Sequence, residues 1–288
     1  MRALKFAVLL AIFLPSVAHA ACHAVSASGS GTKDGSSWSN AMQLPTAPVR
    51  GDTYYLADGS YGTYTPTTAT SGTARITIKK AQSYDYGRSS DGCSNDISAG
   101  WNASTMGASQ AVFSGTGGVV STTGGQGYFT FDGNGRTITA GCGVSPAVNA
   151  AASDCGIKIM ASGTSATTYG VLWVNSTYDI GVTRASGWVI RYVELVGAGD
   201  AGNTLANSNE HTFYCRNGCN NLLFEHNYLH ESACDFIDTP YGDTVTFNLN
   251  HFKQNASSAN CHGQFWLGDG NQMDNFTFSN NLIQDIQG

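Results

Sequence analysis

The sequence is poor in charged residues and in segments that favour helices. Only 12% of its residues are charged, against roughly a quarter in an average soluble domain. No stretch shows a helical or heptad period, which argues against a helical fold. Glycine is plentiful, with 35 residues, and the formal net charge is −6. This composition favours short strands and turns, and it argues against a protein that binds nucleic acid by neutralising phosphates.

Long hydrophobic runs are also absent. The apolar run from Phe6 to Leu14 follows Arg2 and Lys5, and residues 18–20 form a small-x-small cleavage sequence. These features predict that residues 1–20 are a secretory signal peptide. No later segment approaches the roughly 18 apolar residues that span a bilayer. We therefore expect a chain that is secreted to an extracellular, periplasmic or cell-surface location and does not insert into a membrane.

Cysteine is present in an even number, and all eight residues lie beyond the predicted cleavage site. Export favours disulfides over thiols. Cys215 and Cys219 are the only close cysteine pair, with no second cysteine pair to complete a zinc site. His226 and His230 are four residues apart, but they lie on a predicted strand and its exit turn, where that spacing does not indicate a metal. Four disulfides are expected, although sequence alone leaves their connectivity open. The pairs that we predict are Cys142–Cys155, Cys215–Cys219, Cys234–Cys261 and, by remainder, Cys22–Cys93.

A repeat runs through the C-terminal third of the chain. Residues 224–230, 247–253 and 278–284 each begin with phenylalanine, followed three residues later by asparagine. The spacing falls in the roughly 20–50-residue range of stacked structural repeats. Amides stacked about 4.8 Å apart on successive coils can form a hydrogen-bonded ladder. The repeat predicts a solenoid with three aligned asparagines, which are Asn227, Asn250 and Asn281.

Four features together resemble a known group of proteins. They are the entry ASGSGTKDGSSWSNA, the LADGSYG strand and turn, the ITIKKA strand and the asparagine-centred coils. They look like right-handed parallel β-helix proteins of the pectate, alginate and chondroitin lyase kind. The resemblance covers nearly all of the chain after the signal peptide and implies an all-β, right-handed parallel β-helix. That scaffold hosts lyases, hydrolases and binding proteins, so it does not fix an activity.

The organisation expected from these features has three parts. Residues 1–20 are the signal peptide, 21–110 an entry or cap with the first coils, and 111–288 the β-helix coils. The Arg-x-Pro-x-x-Arg run of pectate lyases and the Asp-Asp pair of polygalacturonases are missing, so those catalytic assignments are not transferred. The last residues, IQDIQG, fall inside what should be another coil, and we expect a longer parent protein.

Candidate site residues follow from side-chain alternation in strands. Counting back from the three repeat phenylalanines predicts that Phe213, Phe236 and Leu267 form one inward layer. The neighbouring side chains then face outward, as strand geometry requires. A face with acids, a guanidinium, an imidazole and aromatics can grip a sugar chain. The predicted catalytic residues are Glu210, Arg216, Asp235 and His262, and the predicted substrate-binding residues are Tyr214, Gln264 and Trp266.

Two chemistries fit this predicted face. Glu210 and Asp235 would lie about 8 Å apart, similar to the separation of carboxyls in inverting glycosidases. A lyase would instead use Arg216 to neutralise a uronate carboxylate, with Tyr214 or His262 as the base and Lys253 as another candidate. Asp235 and Glu210 could then hold calcium, although the sequence specifies no metal.

The sequence therefore predicts an exported protein that binds a polysaccharide and cleaves it, by β-elimination rather than hydrolysis. The alternative is a non-catalytic surface or adhesion module that binds glycan. Neither the particular sugar nor the oligomeric state follows from the sequence.

Overall fold

The structure is a computed structural model. It describes residues 20–134, 142, 155–162, 170–175, 185–197, 211–216, 218–232, 234–253, 265–268 and 273–285. The predicted signal peptide lies outside these residues except for Ala20. Within them, short helices occur at Trp38–Asn40, Ser89–Asp91 and Ala103–Met106, the last of which is α1.

Almost all regular structure in the described residues is β-strand. In chain order the strands are β1 (Cys22–Val25), β2 (Thr53–Leu56), β3 (Gly59–Gly62), β4 (Ile76–Lys80), β5 (Ala111–Gly115), β6 (Val120–Ser121), β7 (Phe129–Asp132), β8 (Ile157–Ala161), β9 (Leu172–Asn175), β10 (Ala185–Ser186), β11 (Val189–Arg191), β12 (Val193–Val196), β13 (Phe213–Arg216), β14 (Cys219–Glu225), β15 (Tyr228–His230), β16 (Ile237–Thr239), β17 (Gly242–Asn248), β18 (His251–Lys253), β19 (Phe265–Leu267), β20 (Met273–Ser279) and β21 (Leu282–Gln284).

The strands form three sheets. The first sheet has the order β1-β2-β4-β7-β11-β14-β17-β20, with β10 also paired to β14. The second is β21-β18-β15-β12-β8-β5-β3, and the third is β19-β16-β13-β9-β6. Every pairing between these strands is parallel.

Successive strands visit the three sheets in turn. From β11 to β21 the chain passes from the first sheet to the second, then to the third, and back to the first. Each circuit therefore adds one strand to every sheet, next to the strand laid down one circuit before. The molecule is an all-β parallel solenoid, as the repeat predicts.

The interior is filled by side chains from all three sheets. Phe224 pairs in register with Phe247, which pairs with Phe278. The first two rings lie 5.4 Å apart and the next two 6.3 Å apart. Phe224 and Phe247 are fully buried, and burying one such side chain contributes about 1.5–3 kcal/mol. The phenylalanine register predicted from the repeat is confirmed.

The predicted asparagine ladder is also confirmed. Asn227 Nδ2 donates to Asn250 Oδ1 at 3.0 Å, and Asn250 Nδ2 donates to Asn281 Oδ1 at 3.0 Å. Asn250 Oδ1 also accepts from the backbone N–H of Asn227, and Asn281 Oδ1 accepts from the backbone N–H of Asn250. The ladder lies at the corner between the first and second sheets, where Val193 N–H ends it by donating to Asn227 Oδ1.

The ladder stabilises a strained corner. The residue before each asparagine adopts a left-handed conformation, which costs a non-glycine residue about 1–3 kcal/mol. The amide hydrogen bonds hold these corners in place and offset that cost. The residues concerned are His226, Leu249 and Asn280, with φ of 53°, 58° and 55°.

Residues 27–41 and 84–101, which we call the entry segment, pack together on the outside of the first sheet. Trp38 is buried and its ring lies 4.9 Å from that of Trp101, within a second apolar cluster that includes Tyr55. The Cys22–Cys93 disulfide ties this segment to β1. Trp38 and Trp101 are therefore packing residues of this segment.

The disulfides largely follow the sequence prediction. Three predicted pairs are present: Cys22–Cys93, Cys142–Cys155 and Cys215–Cys219. Cys234 is disulfide-bonded, and its predicted partner Cys261 lies outside the described residues. Such bonds are typical of extracellular proteins. Within the described part of the chain, no helix is long and apolar enough to cross a membrane.

One predicted register is wrong. Phe213 pairs with Ile237, which pairs with Phe265, so Phe236 and Leu267 do not belong to the same row as Phe213. The error arises because the connection from the third sheet to the next phenylalanine differs in length from coil to coil. On β16, Ile237 therefore faces inward instead of outward, and Asp238 takes the outward position.

Candidate functional site

The outer face of the third sheet carries a row of large side chains. Trp173 on β9 pairs with Tyr214 on β13, which pairs with Asp238 on β16, which pairs with Trp266 on β19. The Trp173 and Tyr214 rings stack at 6.3 Å with an interplanar angle of 24°. This row, which we call the aromatic row, follows the solenoid axis with a step of about 4.8 Å per coil.

Alternation in the strands explains why these side chains face outward. On β16, the neighbours Ile237 and Thr239 are fully buried, while Asp238 between them is partly exposed. Gly170 lies just before β9, where an added Cβ would stand 2.8 Å from the Cβ of Tyr214. The absence of a side chain at Gly170 therefore leaves room for Tyr214 beside Trp173.

His211 lies beside this row, between two aspartates. Its Nδ1 is 3.2 Å from Asp235 Oδ2, and its Nε2 is 3.5 Å from Asp238 Oδ2. The side chains of His211 and Asp235 are 5% and 0% exposed, whereas that of Asp238 is 15% exposed. The His211 ring also lies 5.1 Å from that of Tyr214. An imidazole held between a buried and an outward carboxylate is suited to proton transfer.

The loop between β15 and β16 positions Asp235. Glu231 begins the loop in a left-handed conformation, with φ 55°. Ser232 Oγ donates to the Asp235 carbonyl at 2.7 Å, and Thr212 N–H donates to the same oxygen at 3.2 Å. Gly197 lies against this loop, where a Cβ would stand 2.3 Å from the Glu231 carbonyl oxygen. The backbone therefore fixes Asp235 behind His211.

Some of the predicted site residues lie on the outer face of the third sheet, one is buried, and three lie outside the described residues. Tyr214 and Trp266 lie on the outer face as expected, and Arg216 is exposed two residues beyond Tyr214 on the same face. The expected outward position of Asp235 is wrong, because it precedes β16 and is buried behind His211. Glu210, His262 and Gln264 lie outside the described residues.

Three residues of the site were not predicted. Asp238 falls on the wrong side of the expected alternation because of the register error on β16. His211 precedes β13 and has the parity of the inward Phe213, so alternation predicts a buried side chain there. Trp173 lies on β9, which precedes the phenylalanine–asparagine repeat, so the repeat does not align it with Tyr214. A pairing of Phe213 with Ile237 rather than Phe236 would have placed Asp238 in the row.

A separate polar network covers the outer face of the second sheet. The Glu194 carboxylate accepts from Gln110 Nε2 at 2.7 Å and lies 3.0 Å from both Lys158 Nζ and His230 Nε2. Burial opposes ionisation of Glu194, but the hydrogen bonds from His230 and Gln110 and the charge of Lys158 outweigh it and lower its pKa. On the next coil, burial lowers the pKa of His251.

A comparison with protein-family models, with curated proteins and with solved structures found no match to this chain. The functional argument therefore rests on the geometry of the site.

Proposed function

We propose that this chain is a secreted, right-handed parallel β-helix protein of the pectate, alginate and chondroitin lyase-like kind. It binds a polysaccharide along the aromatic row and cleaves it by β-elimination. The observation that carries the proposal is His211, held between Asp235 and Asp238 beside Tyr214. Sugar rings stack on aromatic side chains, while the polar groups take hydroxyls and protons.

The proposed reaction uses the outward end of this cluster. Asp238, the outward carboxylate, removes the proton next to the carboxylate of a uronate and shares it with His211 Nε2, 3.5 Å away, while Asp235 lies behind the imidazole. The electron pair of the broken C–H bond moves toward the carboxylate, whose charge Arg216 neutralises. The bond to the neighbouring sugar oxygen then breaks, and that oxygen takes the proton from the Asp238–His211 pair, which leaves an unsaturated product and restores the pair.

Elimination is favoured over hydrolysis by the burial of Asp235. An inverting glycosidase needs two carboxyl groups about 6.5–9.5 Å apart with a water between them and the sugar. Asp235 is fully buried behind His211, so it is shielded from a sugar bound on the outer face. Calcium remains part of the proposal as an ion that could bind the uronate carboxylate together with acidic side chains.

The test is an activity survey of purified protein. Pectin, alginate, chondroitin and neutral glycans are incubated with the protein, with and without calcium, while unsaturated products and reducing ends are followed separately. We expect ultraviolet absorbance to rise with at least one polyuronate. No product in either assay, on any substrate, ends the enzyme proposal.

Variants then locate the activity. His211→Gln and Asp238→Asn should each lower kcat by about 10²–10⁴-fold, the usual contribution of an acid–base group. His251→Gln, on the outer face of the second sheet, is the matched control and should retain activity. If His251→Gln loses activity while His211→Gln and Asp238→Asn keep it, the reaction does not take place at His211 and Asp238.

The second candidate is a non-catalytic module that binds glycan at the cell surface. The aromatic row favours it, because stacking on Trp173, Tyr214 and Trp266 needs no proton transfer. In that case glycan binding is found without product, and His211→Gln binds as tightly as the unmodified protein.

A further inference from the structure

Three different ligand atoms converge behind the third sheet. His211, Cys234 and Asp235 are all buried, and one ligand atom of each lies within 4.8 Å of the others. His211 Nδ1 is 3.2 Å from Asp235 Oδ2, and Cys234 Sγ is 3.7 Å from Asp235 Oδ1. Tetrahedral zinc, with bonds of about 2.0–2.3 Å, separates its ligand atoms by about 3.3–3.7 Å. The two distances to the Asp235 carboxylate, each measured to a different oxygen, are close to this range, and the three ligand atoms all lie within 4.8 Å of one another.

Two of these atoms also lack a hydrogen bond. His211 Nδ1 and Asp235 Oδ2 are buried and have no hydrogen-bond partner among the described residues. They are near enough for an ion pair, but they are not aligned as donor and acceptor. A buried polar atom without a partner calls for an explanation, and a bound cation is one.

The third ligand, Cys234, is disulfide-bonded in this structure. A metal binds cysteine as the thiolate, and a disulfide sulfur carries no such charge. The disulfide and a metal at this point therefore exclude each other. Imidazole nitrogen, thiolate sulfur and carboxylate oxygen together form a donor set that zinc accepts, with a fourth position left over.

We propose that His211, Cys234 and Asp235 form a zinc-type metal site when the disulfide of Cys234 is open. Opening requires a dithiol, which passes two electrons to the protein disulfide and is itself oxidised to a disulfide. Two protein thiols result. Binding of the divalent cation then displaces the proton of the Cys234 thiol.

A consequence for activity rests on the proposed function. A cation on His211 Nδ1 would separate the imidazole from Asp235, so the metal-loaded dithiol form would be inactive. Metal binding itself does not depend on whether the protein cleaves a sugar.

The test uses cobalt(II) as a spectroscopic substitute for zinc, without any polysaccharide. The three described disulfides account for six of the eight cysteines, so Cys261 is the one that remains beside Cys234. The variant Cys261→Ser should leave Cys234 as a thiol. We expect it to bind one cobalt ion with a sulfur-to-metal charge-transfer band, which added zinc abolishes.

Two controls separate this site from adventitious binding. The double variant Cys234→Ser/Cys261→Ser loses the same disulfide but lacks the sulfur, and His211→Gln in the Cys261→Ser background lacks the nitrogen. Both should lose the charge-transfer band or most of the cobalt affinity, while circular dichroism confirms that they remain folded. A folded Cys261→Ser variant without the band, or equal binding by both controls, overturns the proposal. The activity survey is unaffected by either outcome.

Discussion

At the scale of single residues, Asn250 makes more side-chain hydrogen bonds than either of the other two ladder asparagines. Its Oδ1 accepts from the backbone and side chain of Asn227, and its Nδ2 donates to the Phe224 carbonyl and to Asn281. Asn250 and Asn227 are fully buried. Water therefore cannot replace the hydrogen bonds that their side chains would lose. The ladder therefore carries much of the stability of the last coils.

Replacing Asn250 by leucine should destabilise the protein. Each buried group left without a partner costs about 1–3 kcal/mol, so the denaturant midpoint should fall clearly below that of the unmodified protein. Asn248→Ala is the control, because this amide lies on the same coil but is only half-buried. An unchanged midpoint for Asn250→Leu would show that the ladder contributes nothing to stability.

Glu194 gives the fold a dependence on pH. Its pKa in the folded state lies below the ordinary value of 4.5, so the folded form favours the ionised carboxylate. The stability that it contributes is therefore complete above about pH 4.5 and is lost as the pH falls through the lowered pKa.

The variant Glu194→Gln tests this dependence. It should lower stability at neutral pH and should flatten the loss of stability below pH 4.5, as followed by urea unfolding at several pH values. Glu225→Gln, which lies on the outer face of the first sheet, is the control and should keep the acid dependence. Identical slopes for Glu194→Gln and the unmodified protein would contradict the assignment.

At the scale of elements, the entry segment is held by the Cys22–Cys93 disulfide, by the cluster around Trp38 and by backbone hydrogen bonds to β1. The bond closes a loop with a sequence separation of 71 residues. Chain entropy predicts that such a bond contributes about 4 kcal/mol.

The double variant Cys22→Ala/Cys93→Ala should therefore release the entry segment before the solenoid unfolds. Tryptophan fluorescence should report an early transition, since Trp38 and Trp101 lie in this segment, while circular dichroism should report a later one. A single transition with an unchanged midpoint would show that the segment is held without the disulfide.

The elements also show what the sequence could predict. Phenylalanine and asparagine recur at fixed offsets within the first two sheets, and the alignment drawn from them is correct. The third sheet is reached through loops of unequal length, so counting back along the chain misplaced β16 by one residue. Because alternate residues face opposite sides, that single step set Asp235 and Ile237 outward in the prediction, whereas Asp238 faces outward in the structure. The site could not be found from spacing alone.

At the scale of the whole molecule, the stacking of coils brings residues that are distant in the sequence together on one surface. Trp173, Tyr214, Asp238 and Trp266 come from four different coils and share no local motif, yet strand pairing aligns them. A row of this kind follows the axis of the solenoid and suits a linear polymer more than a compact ligand. This geometry is the main support for the proposal that this face binds a polysaccharide.

Affinity electrophoresis through gels containing pectin, alginate or chondroitin tests that claim most directly. The account predicts that at least one polysaccharide slows the unmodified protein and that Trp266→Ala and Tyr214→Ala migrate as in an empty gel. Tyr228→Ala, which removes an aromatic ring from the outer face of the second sheet, should still be slowed. If no polysaccharide slows the unmodified protein, or if Trp266→Ala and Tyr214→Ala are slowed as strongly as it is, the aromatic row is not a glycan site.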